Sequence, residues 1–585
     1  MAIQLLAKLK KLNDWQVALT IIIVGLAVFF TGFNNPFQGD DETQIVNNIV
    51  VHSVSHIDVL FNGSTFYNGG SATTPLLGTY YRPLMMVVFS FIYTIFGANP
   101  LFFHLFQILI FIVSAILLYL IFRCLLGKKL LALALALIFL VHPISSQVAF
   151  AIPSMQDALF FFFGALALWF LMKYESTKSL WLVALFLLLS LFSKETGVFF
   201  VLICLLYLIF YKRERIGQFV KIISLPVILW LILKVHAVGL FGTNPHIAPI
   251  NQLDLFGRLM NVPSIILFYI ERCVFPWQLA TQYHWAYITF SVQHVLLPLL
   301  IDLIVLGLVI LTGRIIKRRA SKTQYHTFLF FAVWAALGLT VYLQIIPLDM
   351  TVCENWFYFS MAGVLGMIGV ALMVFKPRLK PIWLLTIAVL LIAILGVRTA
   401  IRGTDYSSSY KLSLQDVAVS KEDFKAYTGL SQSYFNVGDY SQAKTYAQKS
   451  IDIFPDVSNY QNLGAAMVFQ GDYVGAYEAY NNGLKYGNYS QLVDNLAQLT
   501  LVHGTPTDNQ RFFAVSLKQY PNDPYLWSYY ALLFYRAGNV PYAKAAISYA
   551  LTNGQSLPLV DGVYSAIAHG SPITIIVGTK KILIP

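Results

Sequence analysis

Three acids stand together at Asp40-Asp41-Glu42, a few residues beyond an apolar run, in a chain otherwise poor in acids. Asp58, Asp157, Glu195, Asp254, Glu271, Asp349 and Glu354 each fall near one end of an apolar stretch. Only four cations occupy the same set of turns: Arg82, Lys194, Arg258 and Arg272. Ionisable groups at the edge of a hydrocarbon layer cost free energy unless solvated or paired, and they often mark function. One chemistry uses such a layout well. A carboxylate at the boundary of water and lipid can take the proton of an acceptor hydroxyl. A nearby cation can hold a phosphate and stabilise it as a leaving group. Asp40 and Asp41 are both candidates for the base, and the scarcity of cations singles out those four for the phosphate. For any one of the other acids a solvated loop is the simpler account.

Apolar elements must carry these groups. The 585 residues are 58% hydrophobic and only 11% charged, where a soluble domain has about a quarter of its residues charged. Such a chain needs lipid as its solvent. Trp15–Phe33, Pro100–Phe122, Ile222–Leu240 and Ile382–Val397 approach the roughly 20 residues that cross a hydrocarbon core. Basic clusters at Lys8/Lys10/Lys11, Arg123/Lys128/Lys129, Lys173/Lys178, Lys212/Arg213/Arg215, Arg314/Lys317/Arg318/Arg319 and Lys376/Arg378/Lys380 mark cytoplasmic turns. They predict eleven spans, near 15–33, 101–123, 129–145, 156–173, 179–193, 196–211, 219–241, 294–313, 326–346, 355–375 and 381–398. Met85–Phe96 and Ile265–Phe275 are then short helices lying in the interface; thirteen spans result if both cross instead. The first span reads as retained rather than as a removed signal peptide. The expected architecture is all-α: a membrane domain over 1–400 with an exterior loop at 34–100, and a non-cytoplasmic helical-repeat domain over 401–585. The N-terminus is placed in the cytoplasm.

The net charge of +12 does not mark a nucleic-acid binder, because the C-terminal part from Asp405 onward carries 12 basic and 13 acidic residues. The positive excess sits in the turns, where it faces anionic headgroups. The four cysteines, Cys124, Cys204, Cys273 and Cys353, are far apart and lack metal-ligand spacing.

In the C-terminal part, Gly438-Asp439-Tyr440 recurs as Gly471-Asp472-Tyr473, and Gly538-Asn539 follows near two further periods. Ala443, Ala476 and Ala543 follow each within a helical pattern. This resembles the tetratricopeptide repeat of about 34 residues, whose units must stack to bury their apolar faces. The Tyr-rich faces (Tyr427, Tyr434, Tyr440, Tyr446) read as repeat core. A protein partner on the repeats, or a brace for the membrane part, are both expected uses.

Further motifs lie in a familiar order. Gly39-Asp40-Asp41 with Ile45 and Asn47-Asn48 is followed by Tyr81-Arg82-Pro83-Leu84, Phe96-Gly97 and His104-Leu105. Then come His142-Pro143-Ile144 with Asp157, Ser193-Lys194-Glu195-Thr196-Gly197, Pro276 to Tyr283, and Glu354-Asn355-Trp356-Phe357-Tyr358. The series resembles the GT-C-fold glycosyltransferases, in particular the transmembrane-and-tetratricopeptide-containing O-mannosyltransferases and their bacterial relatives. The resemblance implies transfer of a sugar from a polyprenyl-phosphate carrier to a protein or glycan acceptor outside the cytoplasm, with inversion at the anomeric carbon. It implies Asp40 or Asp41 as base, Arg82 and Lys194 at the donor phosphate, and site positions for Glu354, His142, Asp157, Glu195, His104 and Tyr81. For the two histidines, packing at a helix end is an equal account. The chain departs from the family at Ser145-Ser146-Gln147, where His-Thr-Glu often stands, at Met155 in place of an arginine, and at Asn355-Trp356 in place of Arg-Tyr. The resemblance therefore implies the reaction class rather than mannose. A divalent metal is left open as cofactor, since some GT-C enzymes use one, but the acids show no spacing that demands it. A bacterial plasma membrane is expected ahead of the endoplasmic reticulum.

Two other classes make different demands on the chain. A non-catalytic, membrane-anchored repeat scaffold predicts a dispensable acid pair. A transporter of lipid-linked material predicts ionisable groups at mid-membrane and related halves, whereas only Lys234 and Asp302 fall well inside predicted spans and no repeat relates the halves.

Overall fold

The computed structural model describes residues 11–66, 80–239, 248–376, 379–487, 490–503, 506–553 and 557–585. Lys8, Lys10 and Arg378 of the basic clusters, part of the loop expected to be exterior, and the end of the 219–241 stretch lie outside the described residues. The chain is almost wholly helical and divides by its contacts into two units, one running through Val419 and the other holding Ser420–Pro585.

In the first unit, seven helices are long and apolar enough to cross a membrane: Asp14–Gly32, Pro100–Leu126, Ile152–Lys173, Arg213–Val238, Val292–Arg319, Glu354–Phe375 and Pro381–Asp405. An eighth passes only as a pair bent by 53°, Lys129–Val141 with Pro143–Phe150. The protein is thus an integral, multi-pass membrane protein. The other stretches expected to span also lie on helices, but shorter or less apolar ones: Thr177–Ser193, Glu195–Tyr211 and Lys322–Thr340. The stretch expected at 326–346 stops at Thr340. Beyond it Gln344 takes a left-handed φ of 58°, and its amide donates to the Met350 and Thr351 carbonyls at 2.8 Å each. Arg258, one of the four isolated cations, donates to the Gln344, Leu253 and Ile345 carbonyls, which makes it a clamp on this loop. The apolar stretch at 265–275 is the last half of a longer helix, Leu255–Val274, capped by Asp254 on Gly257 N at 2.7 Å.

Two contacts position the elements that matter below. Lys322–Thr340 and Tyr358–Phe375 approach at backbone distance, because a Cβ on Gly363 would stand 2.4 Å from Ala335 N. Small residues permit such close packing where lipid supplies no hydrophobic drive. Beside this seam the fully buried Trp334 donates to the Phe359 carbonyl at 3.1 Å. The seam fixes the turn Glu354–Phe357 that opens the second helix.

The second unit is built of helical hairpins whose first helices begin at Phe424, Val457, Ser490 and Pro524, successive starts 33, 33 and 34 residues apart. The local code is visible. Gly438, Gly471 and Gly538 take φ of 83°, 82° and 74° at the turn between helices, a region open mainly to glycine. Asp439 and Asp472 then cap the following helix. Ala443, Ala476 and Ala543 are fully buried where helices meet.

The expectation of an all-α chain needs one correction. Ile573–Val577 pairs antiparallel with Lys580–Ile584. The run of β-branched residues favours strands, and its alternation buries Ile575, Val577, Ile582 and Ile584 in the core of this unit while Ile576 and Leu583 stay exposed.

This unit also holds a pair of acids, Asp494 and Asp523. Burial and then the neighbouring Asp523 charge push the Asp494 carboxyl well above the usual range, and burial likewise raises Asp523. A carboxyl whose pKa is raised on folding binds more protons folded than unfolded, so it lowers stability as pH rises above about 4. Asp494→Asn is therefore expected to stabilise the unit at pH 7 by about 1–2 kcal/mol, read as slower hydrogen exchange in Ser490–Leu499 and Pro524–Arg536. The gain should vanish near pH 4. A gain that grew on acidification would refute the pairing.

Candidate active site

Lys194 and Glu195 leave the end of the Thr177–Ser193 helix in opposite directions and found two linked ion pairs. The Lys194 ammonium meets Asp157 Oδ1 at 2.6 Å. Asp157 stands in the first turn of the Met155–Lys173 helix, where the helix dipole favours a negative charge. Its other oxygen accepts from Asn355 Nδ2 at 3.1 Å, and Asn355 also reaches Ser154 Oγ at 3.4 Å. Lys194 is 5% exposed and Asp157 1%, so neither charge would be tolerable without the other.

Glu195 accepts from the Tyr81 backbone N–H at 3.0 Å and from Arg82 Nε at 3.3 Å. Arg82 lies 4.1 Å over the Tyr80 ring, and Tyr80 is hydrogen-bonded to Asp349. Arg82 precedes Pro83, the first residue of the Pro83–Phe96 helix. Its guanidinium is held through Nε and through stacking. The two terminal amino groups make no hydrogen bond among the described residues. A fork held in this way suits two oxygens of one phosphate.

The turn at Glu354–Phe357 joins this cluster to a second. Glu354, next to Asn355 in sequence, accepts at Oε1 from the Ala280 N–H and the Tyr283 hydroxyl, both at 2.8 Å. Nearby, the fully buried Arg402 pairs with Asp405 at 2.9 Å and lies 3.9 Å from Asp416. Asp416 accepts from Thr281 N at 3.0 Å and from Thr281 Oγ1 at 2.5 Å.

The first-loop acids differ sharply. Asp40 is exposed and Asp41 is 3% exposed. Asp41 Oδ2 accepts from Gln38 N at 2.8 Å, and Gln38 in turn donates to the Tyr406 carbonyl at 2.5 Å. Asp41 Oδ1 is buried with no hydrogen-bond partner among the described residues. Burial first, and then the charges of Asp40 and Glu42, push the Asp41 carboxyl well above the ordinary carboxylate range.

Of the residues singled out by sequence, Tyr81, Arg82 and Glu195 thus converge, as do Lys194 and Asp157, with Glu354 one residue from Asn355, which donates to Asp157. Asp41 makes no hydrogen bond or ion pair to any of them among the described residues. His142 has both ring nitrogens engaged: Nδ1 accepts from Ile144 N at 3.3 Å, and Nε2 meets the Cys273 carbonyl at 3.0 Å. Both partners are backbone groups. His104 is buried beside the Asn35 backbone. Gln147, where the resembling family often has an acid, donates to the Thr281 carbonyl at 3.1 Å. Asn355, Tyr80, Gln38, Tyr283, Arg402 and Asp416 were missed. Asn355 and Tyr283 stood inside quoted motifs, whereas Arg402 and Asp416 carried no sequence signal beyond being charged near a span end. Among the described residues no three His, Cys, Asp or Glu side chains gather as a metal site would require.

Residues 81–238 match the family model described as dolichyl-phosphate-mannose-protein mannosyltransferase. No curated protein matches the chain significantly. Among solved structures, ArnT from Cupriavidus metallidurans bound to undecaprenyl phosphate aligns at 14% identity over 79% of this chain and 79% of that one, with a TM-score of 0.33. Its apo state aligns at 14% over 83% and 80%, with a TM-score of 0.34. The Archaeoglobus fulgidus oligosaccharyltransferase tethered to an acceptor peptide containing the NVT sequon aligns at 12% over 74% and 59%, with a TM-score of 0.33. Likenesses this loose do not bear on individual side chains.

Proposed function

Since the chain is similar to GT-C-fold glycosyltransferases that use polyprenyl-phosphate sugars, we propose that it moves a sugar from such a carrier to an acceptor hydroxyl on the non-cytoplasmic side, inverting the anomeric carbon. The observation that carries the reading is the Arg82 fork, fixed by Glu195 and Tyr80, with outer amino groups that make no hydrogen bond among the described residues. In this mechanism Asp41, rather than the exposed Asp40, takes the acceptor's hydroxyl proton. The acceptor oxygen forms its bond to the anomeric carbon as the bond from that carbon to the phosphate oxygen breaks. The electron pair leaves on polyprenyl phosphate, whose charge Arg82 meets, with the Lys194–Asp157 pair setting the field behind it. Glu195 and Tyr81 position Arg82. Glu354 and Asn355 brace the wall opposite. His104 and His142 act as packing groups.

The repeats at 420–585 are tetratricopeptide-like in this reading. They lie outside the cytoplasm together with the exterior loop, while the N-terminus lies inside and eleven helices cross. A bacterial plasma membrane is the setting. The sugar is left undefined by the departures at Gln147, Met155 and Asn355, and the acceptor is a protein or a glycan.

The test is transfer of a labelled sugar from polyprenyl-phosphate donors to hydroxyl acceptors by the purified protein in liposomes. Arg82→Met is expected to lower the rate by about 100- to 1,000-fold. Arg82→Lys should restore only part of it, because an ammonium cannot bind two phosphate oxygens as a planar fork does. Transfer at the parental rate in Arg82→Met would overturn the phosphate role.

A further inference from the structure

A cavity of about 330 Å³ lies in the second unit, lined by none of the residues discussed above as catalytic. Four helices and the terminal hairpin line it, Tyr473–Gly483 through Tyr480. Val457–Phe469 contributes Gln461, Asn462 and Phe469, and Ser490–Leu499 contributes Gln491, Asn495 and Gln498. The positions 491, 495 and 498 are spaced i, i+4, i+7 and so share one helix face. Gln432 and Phe435 complete this side from the helix Phe424–Asn436.

Six carboxamides face the cavity with no Asp, Glu, Lys, Arg or His among its described lining residues. Four of those amides have partners of their own: Gln432 Nε2 donates to Asn436 Oδ1 at 2.9 Å, Asn495 is hydrogen-bonded to the Tyr480 side chain, and two more donate to backbone carbonyls. Asn462 Nδ2 donates to the Thr428 carbonyl at 3.0 Å, and Gln498 Nε2 donates to the Ile576 carbonyl at 3.2 Å. A backbone carbonyl can only accept, so the carboxamide oxygens of both residues are left for an incoming donor. Gln461 makes no hydrogen bond among the described residues and offers both a donor and an acceptor. Phe435 and Phe469 meet edge to face at 5.1 Å and 87°.

The hairpin closes one side. Its Ile576 and Gly578 border the cavity. Gly578 has φ of 59°, and a Cβ there would stand 2.6 Å from the Val468 carbonyl oxygen. The turn is therefore pressed onto the Val457–Phe469 helix, and it makes the space a compact recess.

We infer that this recess is a binding site for a neutral saccharide of one or two residues. Carboxamide oxygens accept from the many hydroxyls of a sugar, a free amide supplies the reciprocal donor, and ring faces stack on the apolar C–H face of a pyranose. A lining without charge disfavours phosphates, uronic acids and charged peptides, since none would find a counter-charge after desolvation. The volume lies at the low end for small-ligand pockets, about 300–1,000 Å³. An extended peptide needs a longer groove than a recess walled by the hairpin. The site stands on its own lining and does not depend on the transfer reaction proposed above.

The experiment measures binding, not turnover. The full chain in lipid nanodiscs is titrated with maltose, cellobiose, mannobiose and diacetylchitobiose, and hydrogen exchange is followed in Val457–Phe469 and Ser490–Leu499. At least one disaccharide is expected to slow exchange in both helices. Gln461→Ala/Gln491→Ala, two substitutions at accessible positions, should weaken that effect about tenfold while leaving exchange elsewhere in the unit unchanged. Gln461→Asn/Gln491→Asn, which keeps the amide chemistry, should recover part of it. Absence of protection by all four sugars overturns the inference. So does protection that survives the alanine pair, which would show that these amides do not hold the sugar, and so does protection by a neutral Gly-Ser peptide in place of any sugar.

Discussion

Lys194→Met is expected to destabilise the membrane unit by about 3–5 kcal/mol, because it leaves Asp157 as a buried charge held only by an amide. Asp157→Leu should cost a similar amount by stranding the ammonium. The informative chain is the double variant, Lys194→Met/Asp157→Leu. With neither charge present, no uncompensated ion remains, and a well-packed apolar pair can match or exceed a buried ion pair in stability. Most of the lost stability should return in the double variant, read as the unfolding midpoint in detergent. Sugar transfer should stay low, because the charge pair behind Arg82 is gone. A fold that depended on the pair only for shape would recover both. A Lys194→Met midpoint indistinguishable from that of the parent chain would show that the 2.6 Å contact carries no weight.

Asp41→Asn should reduce transfer by about 100- to 10,000-fold, the usual contribution of a positioned base. Asp40→Asn should leave the rate near that of the parent, since Asp40 is exposed and Asp41 is not. The pH dependence has a definite sign. Burial raises the Asp41 carboxyl well above the ordinary range, so its basic form accumulates only as pH climbs past that raised value. The rate should rise with pH in a region where an ordinary carboxylate, with pKa about 4, would already be fully ionised. The same shift means that folding binds a proton at Asp41. Asp41→Asn should therefore protect the first loop against unfolding at neutral pH even as it removes activity. A loss of activity shared equally by the two asparagine variants, or a profile flat from pH 5 to 8, would assign the base elsewhere.

The membrane class was legible because apolar length and the placement of basic turns are read directly from composition along the chain. Helical existence was legible at each expected span, since a long apolar run has few alternatives in lipid, where even an internal Pro226 or Gly363 is tolerated. Ends were less so. The helix expected to reach 346 stops at Thr340 because Gln344 leaves the helical region and its side chain bonds the returning loop, and no propensity at residues 341–346 announces that. The hairpin at Ile573–Val577 was lost because its strands are short and follow a helical repeat whose period invited extension.

In the site, single residues were legible and pairings were not. Arg82 and Glu195 are 113 positions apart, and Lys194 and Asp157 are 37 apart. Which acid serves which cation depends on Lys194 and Glu195 leaving the helix end in opposite directions, a backbone event at φ −159° and ψ 146°. The replacement of an expected arginine by Asn355 looked like a lost charge. In the fold it supplies an amide donor to the second oxygen of Asp157, so Asp157 has two partners of which one is neutral.

Glu354 and Asn355 are neighbours along one turn, yet one grips the Ala280–Tyr283 segment and the other grips Asp157. Two distant stretches of chain thus share a single short backbone as their common anchor. Engineers who graft this pentapeptide from a homologue, or evolution drifting at either position, must carry both sets of contacts across at once. Substitutions at Tyr283 and at Asp157, remote in sequence, should consequently show strong epistasis in a double-mutant cycle, with neither site free to vary without the other's consent.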